Sequence, residues 1–234
     1  MPSDPIIITI DGAAASGKST TARHLAEALD LLHVDTGAHY RTLTRVLLDK
    51  GIQPERLTSD PSALGELMLD TGIEGRRSTL LVNGASVPDA MIRTEAINQS
   101  VSLYAAQPAV RNCLLEYQRS QANVALDRGF RGIVMEGRDI GSVVFPDARF
   151  RYYLFADPST RQQRRDNEGL ADSVTRRDEI DSSRTQAPLK IPDGSVLIDT
   201  GAMDVDSVVH RICSDVNASG QSHFTLGFDH SHPQ

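Results

Sequence analysis

The chain has 234 residues, 39% of them hydrophobic and 24% charged, enough for one sizeable core with an appended subdomain and short for two large independent domains. Its 24 basic and 31 acidic side chains give a formal net charge of −7, which excludes a globally basic nucleic-acid binder. Lys18, Lys50 and Lys190 are the only lysines, so the other 21 basic residues are arginines, whose planar fork suits phosphate and carboxylate. Composition bias alone accounts for such a total, so only the positions of the arginines carry information.

Cys113 and Cys213 are too few for a disulfide framework and lack metal-ligand spacing, so a reducing cytosol is expected. No apolar run approaches the length of a membrane span, and the first residues lack the basic-then-apolar build of a signal peptide. A soluble, cytoplasmic chain with no membrane partner is expected.

In chain order, the β-branched run Ile6 to Ile10 predicts a strand buried on both faces, ending at Asp11-Gly12. A helix is predicted from Lys18, with Ala22, Leu25, Ala26 and Leu29 at helical spacing. His33 to Asp35 reads as a short strand, followed by a helix through Tyr40, Leu43, Leu47 and Leu48. Pro54 and Pro61 interrupt the pattern, and a short helix is expected over 64–69. Asn83-Gly84, between Thr79–Val82 and Ala85–Val87, predicts a hairpin inside a small β insertion at about 72–90.

Helices are predicted over about 94–104 and 108–126, and buried strands over 133–136, 152–155 and 196–198. Residues 159–184 are helical in pattern, very polar and rich in arginine, with few apolar anchors, and read as a mobile flap rather than core. A closing helix over 205–216 and a polar tail over 219–234, expected to be disordered, complete the chain. His223, His230 and His232 in that tail have no cysteine or acidic cluster near them, so a solvated tail is expected rather than a metal site.

Gly12-Ala13-Ala14-Ala15-Ser16-Gly17-Lys18-Ser19, followed by Thr20, fits the eight-residue phosphate-loop pattern between a strand and a helix. In that pattern backbone N–H groups surround phosphate oxygens, Lys18 neutralises the outer phosphates and the Ser19 hydroxyl holds Mg²⁺. The loop fits a kinase acting on a small acceptor, or a nucleotide-driven ATPase or switch acting on a macromolecule. The Asn-Lys-x-Asp element of guanine-binding switches is absent from the sequence. Glu136-Gly137-Arg138-Asp139 instead places an arginine and a carboxylate at a strand end, which suits acceptor binding.

The sequence resembles the bacterial cytidylate kinases. The matching pieces are the phosphate loop, Asp35-Thr-Gly-Ala-His-Tyr40-Arg41, Ile92-Arg93-Thr94, Val101-Ser102, Pro108-x-Val110-Arg111, Gln118-Arg119, Glu136 to Ala148, and Arg177-Asp178-x-x-Asp181-x-x-Arg184 with Ala187-Pro-Leu189. They run in family order from residue 6 to about residue 216. The resemblance implies an α/β phosphate-loop kinase fold, with a five-stranded parallel sheet flanked by helices, an acceptor-binding insertion and a lid. It places the nucleotide-binding core at 1–36, 108–158 and 190–218, the acceptor-binding region at 37–107 and the lid at 159–189.

Residue roles follow from the same resemblance. Residues Gly12, Ala13, Ala14, Ala15, Ser16, Gly17, Lys18, Ser19 and Thr20 bind ATP, and Ser19, with Glu136 through water, holds Mg²⁺. Arg41 and Arg138 resemble the arginines on the acceptor phosphate; Ser102, Arg111 and Asp139 resemble the cytosine readers. Thr36 stands near the sugar, Arg177 and Asp181 resemble the pair on the 2′-hydroxyl, and Arg161 and Arg184 resemble lid arginines that close on the transferred group. Lys18, Arg138, Arg161 and Arg184 form the catalytic set. The implied partners are ATP and CMP or dCMP, with no nucleic acid, and a monomer is expected. Another acceptor such as UMP would keep the chemistry and change the pocket. Ala13 and Ala15 stand where relatives often carry Pro and Gly, and Ala15 restricts the backbone there. The lid is shortened between Arg165 and Arg176.

Overall fold

A computed structural model describes residues 5–167 and 174–220. The expected tail, with His223, His230 and His232, therefore lies outside the described residues apart from its first two positions.

The elements in chain order are β1 (Ile6–Asp11), α1 (Lys18–Leu29), β2 (Leu32–Asp35), α2 (Thr36–Asp49), α3 (Pro54–Ser59), β3 (Leu69–Glu74), β4 (Arg77–Val82), β5 (Ala85–Ser86), α4 (Asp89–Ile92) and α5 (Glu95–Ala105). They continue with α6 (Pro108–Asp127), β6 (Gly132–Gly137), β7 (Phe150–Phe155), α7 (Pro158–Asn167), α8 (Val174–Ser182), β8 (Val196–Asp199) and α9 (Val205–Ala218). One sheet holds all eight strands in the order β3-β4-β2-β6-β1-β7-β8, with β5 paired to β4. The run β2-β6-β1-β7-β8 is parallel throughout and is the expected five-stranded core.

Alternation along β1 explains the two layers. Ile6, Ile8 and Ile10 point to one face and pack with Leu25 and Leu29 of α1 and Val209 and Ile212 of α9. Ile7 points to the other face, where Leu32, Val34, Ile133 and Met135 meet Ala122 and Ala125 of α6. A third cluster joins α2, β4 and α6 through Leu43, Leu47, Leu80 and Leu114. The apolar strands thus lie under helices on both faces, as a parallel sheet requires.

Two expectations are corrected around the β insertion. Residues 64–69 form no helix: a 3₁₀ turn ends at Leu64, and Leu69 already begins β3. Pro54 and Pro61 do not merely interrupt; each opens a helical turn, where a missing N–H costs nothing. β3 returns against β4 through a tight turn with Gly75 at φ 57°, and Gly72 lets the strands close, since a Cβ there would lie 2.9 Å from Thr79 Oγ1. The predicted β4–β5 hairpin is present, with Asn83 and Gly84 both at positive φ. The insertion is joined to the core: His33 and Val34 of β2 pair in parallel with Arg77 and Ser78 of β4, extending the central sheet.

Candidate active site

The parallel register brings the chemistry to one edge. Asp11 is level with Gly137, and Asp35 with Glu136, at the carboxyl ends of β1, β2 and β6. Between β1 and α1 runs the phosphate loop. Gly12 is dictated by close approach, because a Cβ there would lie 2.1 Å from the Leu154 carbonyl oxygen. Gly17 caps α1 in the left-handed region, at φ 86°. Ala15 sits in the same region at φ 56°, a conformation that costs a β-carbon about 1 kcal/mol or more. Lys18 Nζ crosses the loop and donates to the Ala13 carbonyl at 2.7 Å and to Ser16 Oγ at 3.3 Å. Burial, reinforced by the nearby Arg138 guanidinium, pulls the Lys18 pKa down to about 7, against the opposing pull of Glu136, Asp178 and Asp11.

Beside the loop, Ser19 Oγ donates to Glu136 Oε2 at 2.7 Å, and His33 Nε2 lies 2.9 Å from Glu136 Oε1. A hydroxyl and a carboxylate at the mouth of a phosphate loop are hard oxygen donors of the kind that a small divalent cation takes, together with water and phosphate oxygens. Among the described residues no group of three or more His, Cys, Asp or Glu forms a metal cage. Such an ion shared with a polyphosphate needs none.

The opposite wall is built from side-chain pairs. Asp139 and Arg111 form a buried ion pair, each side chain 6% exposed, and Arg111 also lies over the Tyr40 ring at 5.5 Å. Burial raises the Asp139 pKa, while Arg111 and Arg184 act against that rise. Asp11 fixes the backbone that carries Asp139: its two oxygens accept from the N–H groups of Ile140 and Gly141, at 2.7 Å each, in the π-helical turn Ile140–Val144. Burial pushes the Asp11 carboxyl up to about 7 in spite of those two bonds. Asp35 caps α2 through the Ala38 N–H at 3.0 Å and holds Arg93 at 3.1 Å. Burial opposes ionisation of Asp35, but Arg41, Arg93 and His33 outweigh it and keep its carboxyl below the usual range. Arg41 reaches Asn98 of α5 at 3.4 Å, and Ser102 lies one turn further along that helix, buried. The Thr36 hydroxyl is committed to the backbone, donating to the Glu136 carbonyl at 2.7 Å.

The described parts of the polar segment expected as a flap, α7 and α8, lie on the phosphate loop, fastened by ion pairs and hydrogen bonds. Arg138 Nη1 donates to the Gly12 carbonyl at 2.9 Å, and its Nε lies 3.0 Å from Asp181, which also pairs with Arg184. Arg161 is buried and donates to the Ala14 and Ala156 carbonyls, at 3.1 Å each, and to Asp178. Arg164 reaches the Ala15 carbonyl at 3.4 Å and the Thr200 carbonyl at 2.7 Å. The side chain of Arg177 lies outside the described residues.

A cavity of about 470 Å³ opens between these walls. Lys18, Ser19, Thr36, Arg41, Ser102, Glu136, Arg138, Asp139, Asp181 and Arg184, each named from sequence, meet around it. Arg111 and Arg161 stand behind that surface, each holding a wall residue. The sequence roles missed Asp35, Tyr40 and Arg93, which line the cavity. All three stood in the quoted motifs, and a carboxylate before a helix that begins Thr-Gly was the available signal. Asp11, His33, Arg164 and Asp178 were also missed, and for these the signal is only spatial.

The comparisons with known proteins agree with this geometry. The cytidylate kinase family model matches residues 8–218. The chain belongs to the cytidylate kinase family. It is 41% identical over 227 residues to the cytidylate kinase of Geobacillus kaustophilus, covering 91% of this chain and 96% of that one. It is 38% identical over 229 residues to that of Chlorobaculum tepidum, covering 91% and 93%, and 36% identical over 239 residues to that of Rhodococcus jostii, covering 94% and 100%. Membership of this family makes the chain a nucleotide-binding phosphotransferase. Among the described residues no helix is long and apolar enough to cross a membrane.

Proposed function

We propose that the protein transfers the γ-phosphoryl group of Mg·ATP to the phosphate of CMP or dCMP, giving ADP and CDP or dCDP. One observation carries the reading within the family: the phosphate loop and the Asp139 carboxylate, backed by Arg111, face the same cavity. Loop amides and Lys18 bind the ATP phosphates. A carboxylate that accepts from the exocyclic amine of cytosine, beside an arginine that donates to the ring, selects cytosine over uracil by hydrogen-bond polarity. Ser102 closes that pocket from α5. Arg41 and Arg138 hold the acceptor phosphate, Thr36 shapes the wall near the sugar, and Asp181 with Arg177 reads the 2′-hydroxyl.

The acceptor phosphate oxygen is already ionised near neutral pH, so attack on the γ-phosphorus needs no base. A bond forms from that oxygen to the γ-phosphorus as the bond to the bridging oxygen of ADP breaks. Catalysis is then alignment and charge neutralisation by Lys18, Arg138, Arg161 and Arg184. Ser19, and Glu136 through water, would hold Mg²⁺, which offsets charge on the phosphate oxygens when bound. Residues 159–189 act as the closing segment, over the core at 1–36, 108–158 and 190–218 and the acceptor region at 37–107. A cytoplasmic monomer is part of the same reading. The test is ADP production from Mg·ATP over CMP, dCMP, UMP, AMP, GMP and no acceptor. CMP and dCMP are expected to be the best acceptors, and equal ADP release without acceptor overturns the assignment.

A further inference from the structure

We propose that Asp178 is a positioning residue for phosphoryl transfer, whose carboxylate sets Arg138 and Arg161 against the phosphate loop. The inference rests on the transfer reading above and adds to it a group that does not line the cavity. Asp178 lies on α8, and both of its oxygens are occupied. Oδ1 accepts from the Ala14 N–H at 3.1 Å and from Arg138 Nη1 at 3.3 Å; Oδ2 accepts from Arg161 Nη1. Each arginine holds, in addition, one carbonyl of the loop: Arg138 that of Gly12 at 2.9 Å, and Arg161 that of Ala14 at 3.1 Å. Two guanidiniums, one carboxylate and three backbone groups of the loop thus form a closed frame.

Three physical effects make the frame matter for the reaction. A long arginine side chain has much rotamer freedom, and one fixed before the reaction does not lose that freedom during it. Arg138 and Arg161 are like charges near Lys18, and a carboxylate between the two arginines offsets their mutual repulsion where burial weakens screening. Lastly, the frame ties one arginine just after β6 and one on α7 to the strand-to-helix loop itself, so their placement follows the loop.

The experiment uses the full-length protein and the variants Asp178→Asn, Asp178→Glu, Arg161→Ala and the Asp178→Asn/Arg161→Ala pair. Melting temperature, kcat and the KM values for ATP and CMP are measured for each. Asp178→Asn keeps the size and an acceptor for Ala14 but places an amide against a guanidinium. Assayed well below both melting temperatures, it is expected to lower kcat about tenfold with both KM values within about threefold, and to lower the melting temperature as well, because Arg138 and Arg161 lose a shared carboxylate. Asp178→Glu keeps the charge and is expected to fall between the two, and it supplies the same cycle with Arg161→Ala should the Asn variant not fold. In the Arg161→Ala background the further loss is expected to be smaller than in the wild type, about threefold, because Asp178 then has only Arg138 left to place. Losses that multiply, a kcat that falls only in step with melting temperature, or tighter ATP binding with faster acceptor-free hydrolysis in Asp178→Asn overturns the positioning role. A wild type that does not phosphorylate CMP, or Arg161→Ala at wild-type speed, instead defeats the transfer reading, so the two failures are distinguishable.

Discussion

Residues 12–19 make one wall of the cavity from consecutive backbone, whereas the facing wall and the segment above it are assembled from pairs. Arg111–Asp139, Arg138–Asp178 and Arg93–Asp35 join positions 28, 40 and 58 residues apart. The difference shows in what each wall requires of its side chains. The loop carries alanine at three successive positions, and its fixed requirements are Gly12, which has no room for a β-carbon, the left-handed Gly17, the Lys18 cation and the Ser19 hydroxyl. The facing wall has less slack at its centre, where Arg111 and Asp139 are both buried against each other, whereas Arg93, held by Asp35, is half exposed. Removing one member of a buried pair leaves the other uncompensated, at about 3–5 kcal/mol.

The strongest way to break the comparison is Lys18→Met. It removes the one loop side chain whose charge is needed, and kcat/KM is expected to fall by about a thousandfold or more with the fold intact by circular dichroism. Retention of near-normal activity would remove Lys18 from the phosphate site. Asp139→Ala tests the facing wall, with an expected rise in the KM for CMP of more than about tenfold and ATP affinity within about threefold. It also strands Arg111, so a lower melting temperature is expected in addition, a penalty that Lys18→Met does not carry. Equal damage to both substrates would show that the two walls are not separable.

A smaller effect concerns protons. Lys18 has a pKa of about 7 against an ordinary 10.5, so at pH 8 it is mostly neutral, and polyphosphate beside it restores the charge. Binding of ATP is therefore expected to take up most of a proton at pH 8 and little at pH 6. Calorimetry in two buffers of different ionisation enthalpy measures this, and no uptake at either pH would mean that the lysine does not meet phosphate. The sign for stability is the reverse of a favourable ion pair. The depressed lysine costs stability in full below about pH 7, and the cost disappears as pH rises from 7 towards 10.5. The smallest expected effect is that of Ala15→Gly. It relieves the left-handed strain but adds freedom to the unfolded chain, so a net change within about 1 kcal/mol is expected, read by denaturant melts.

The same contrast explains which parts were legible in the sequence. Local periodicity placed β1, α1, β6, β7 and α9, because each buries its own apolar stripe and ends at a nearby acid or glycine. The loop was legible because its contacts run along the chain. β3 was not, because Leu69 to Glu74 is only half-buried and its identity as a strand comes from β4 across the turn. The parallel pairing of β4 with β2 likewise depends on a crossover that no local pattern records. Asp178 stood in a quoted motif, yet its partners come from the end of β6, from α7 and from the loop, and their meeting is set only when α8 lies down on that surface. Arg164 belongs to the same class: a lone arginine in a polar helix reads as a surface ion pair, and here it donates to the carbonyls of Ala15 in the loop and of Thr200.

The joining of β4 to β2 has a consequence for how the molecule behaves in a crowded solution. Without it, the buried strand β2 would present a row of unpaired backbone groups, a template for another chain. With it, the sheet ends on one side at β3, which bears Asp70 and Glu74, and on the other at β8, only four residues long. Charged or very short borders resist strand-to-strand association, so the inserted strands also shield the sheet from aggregation.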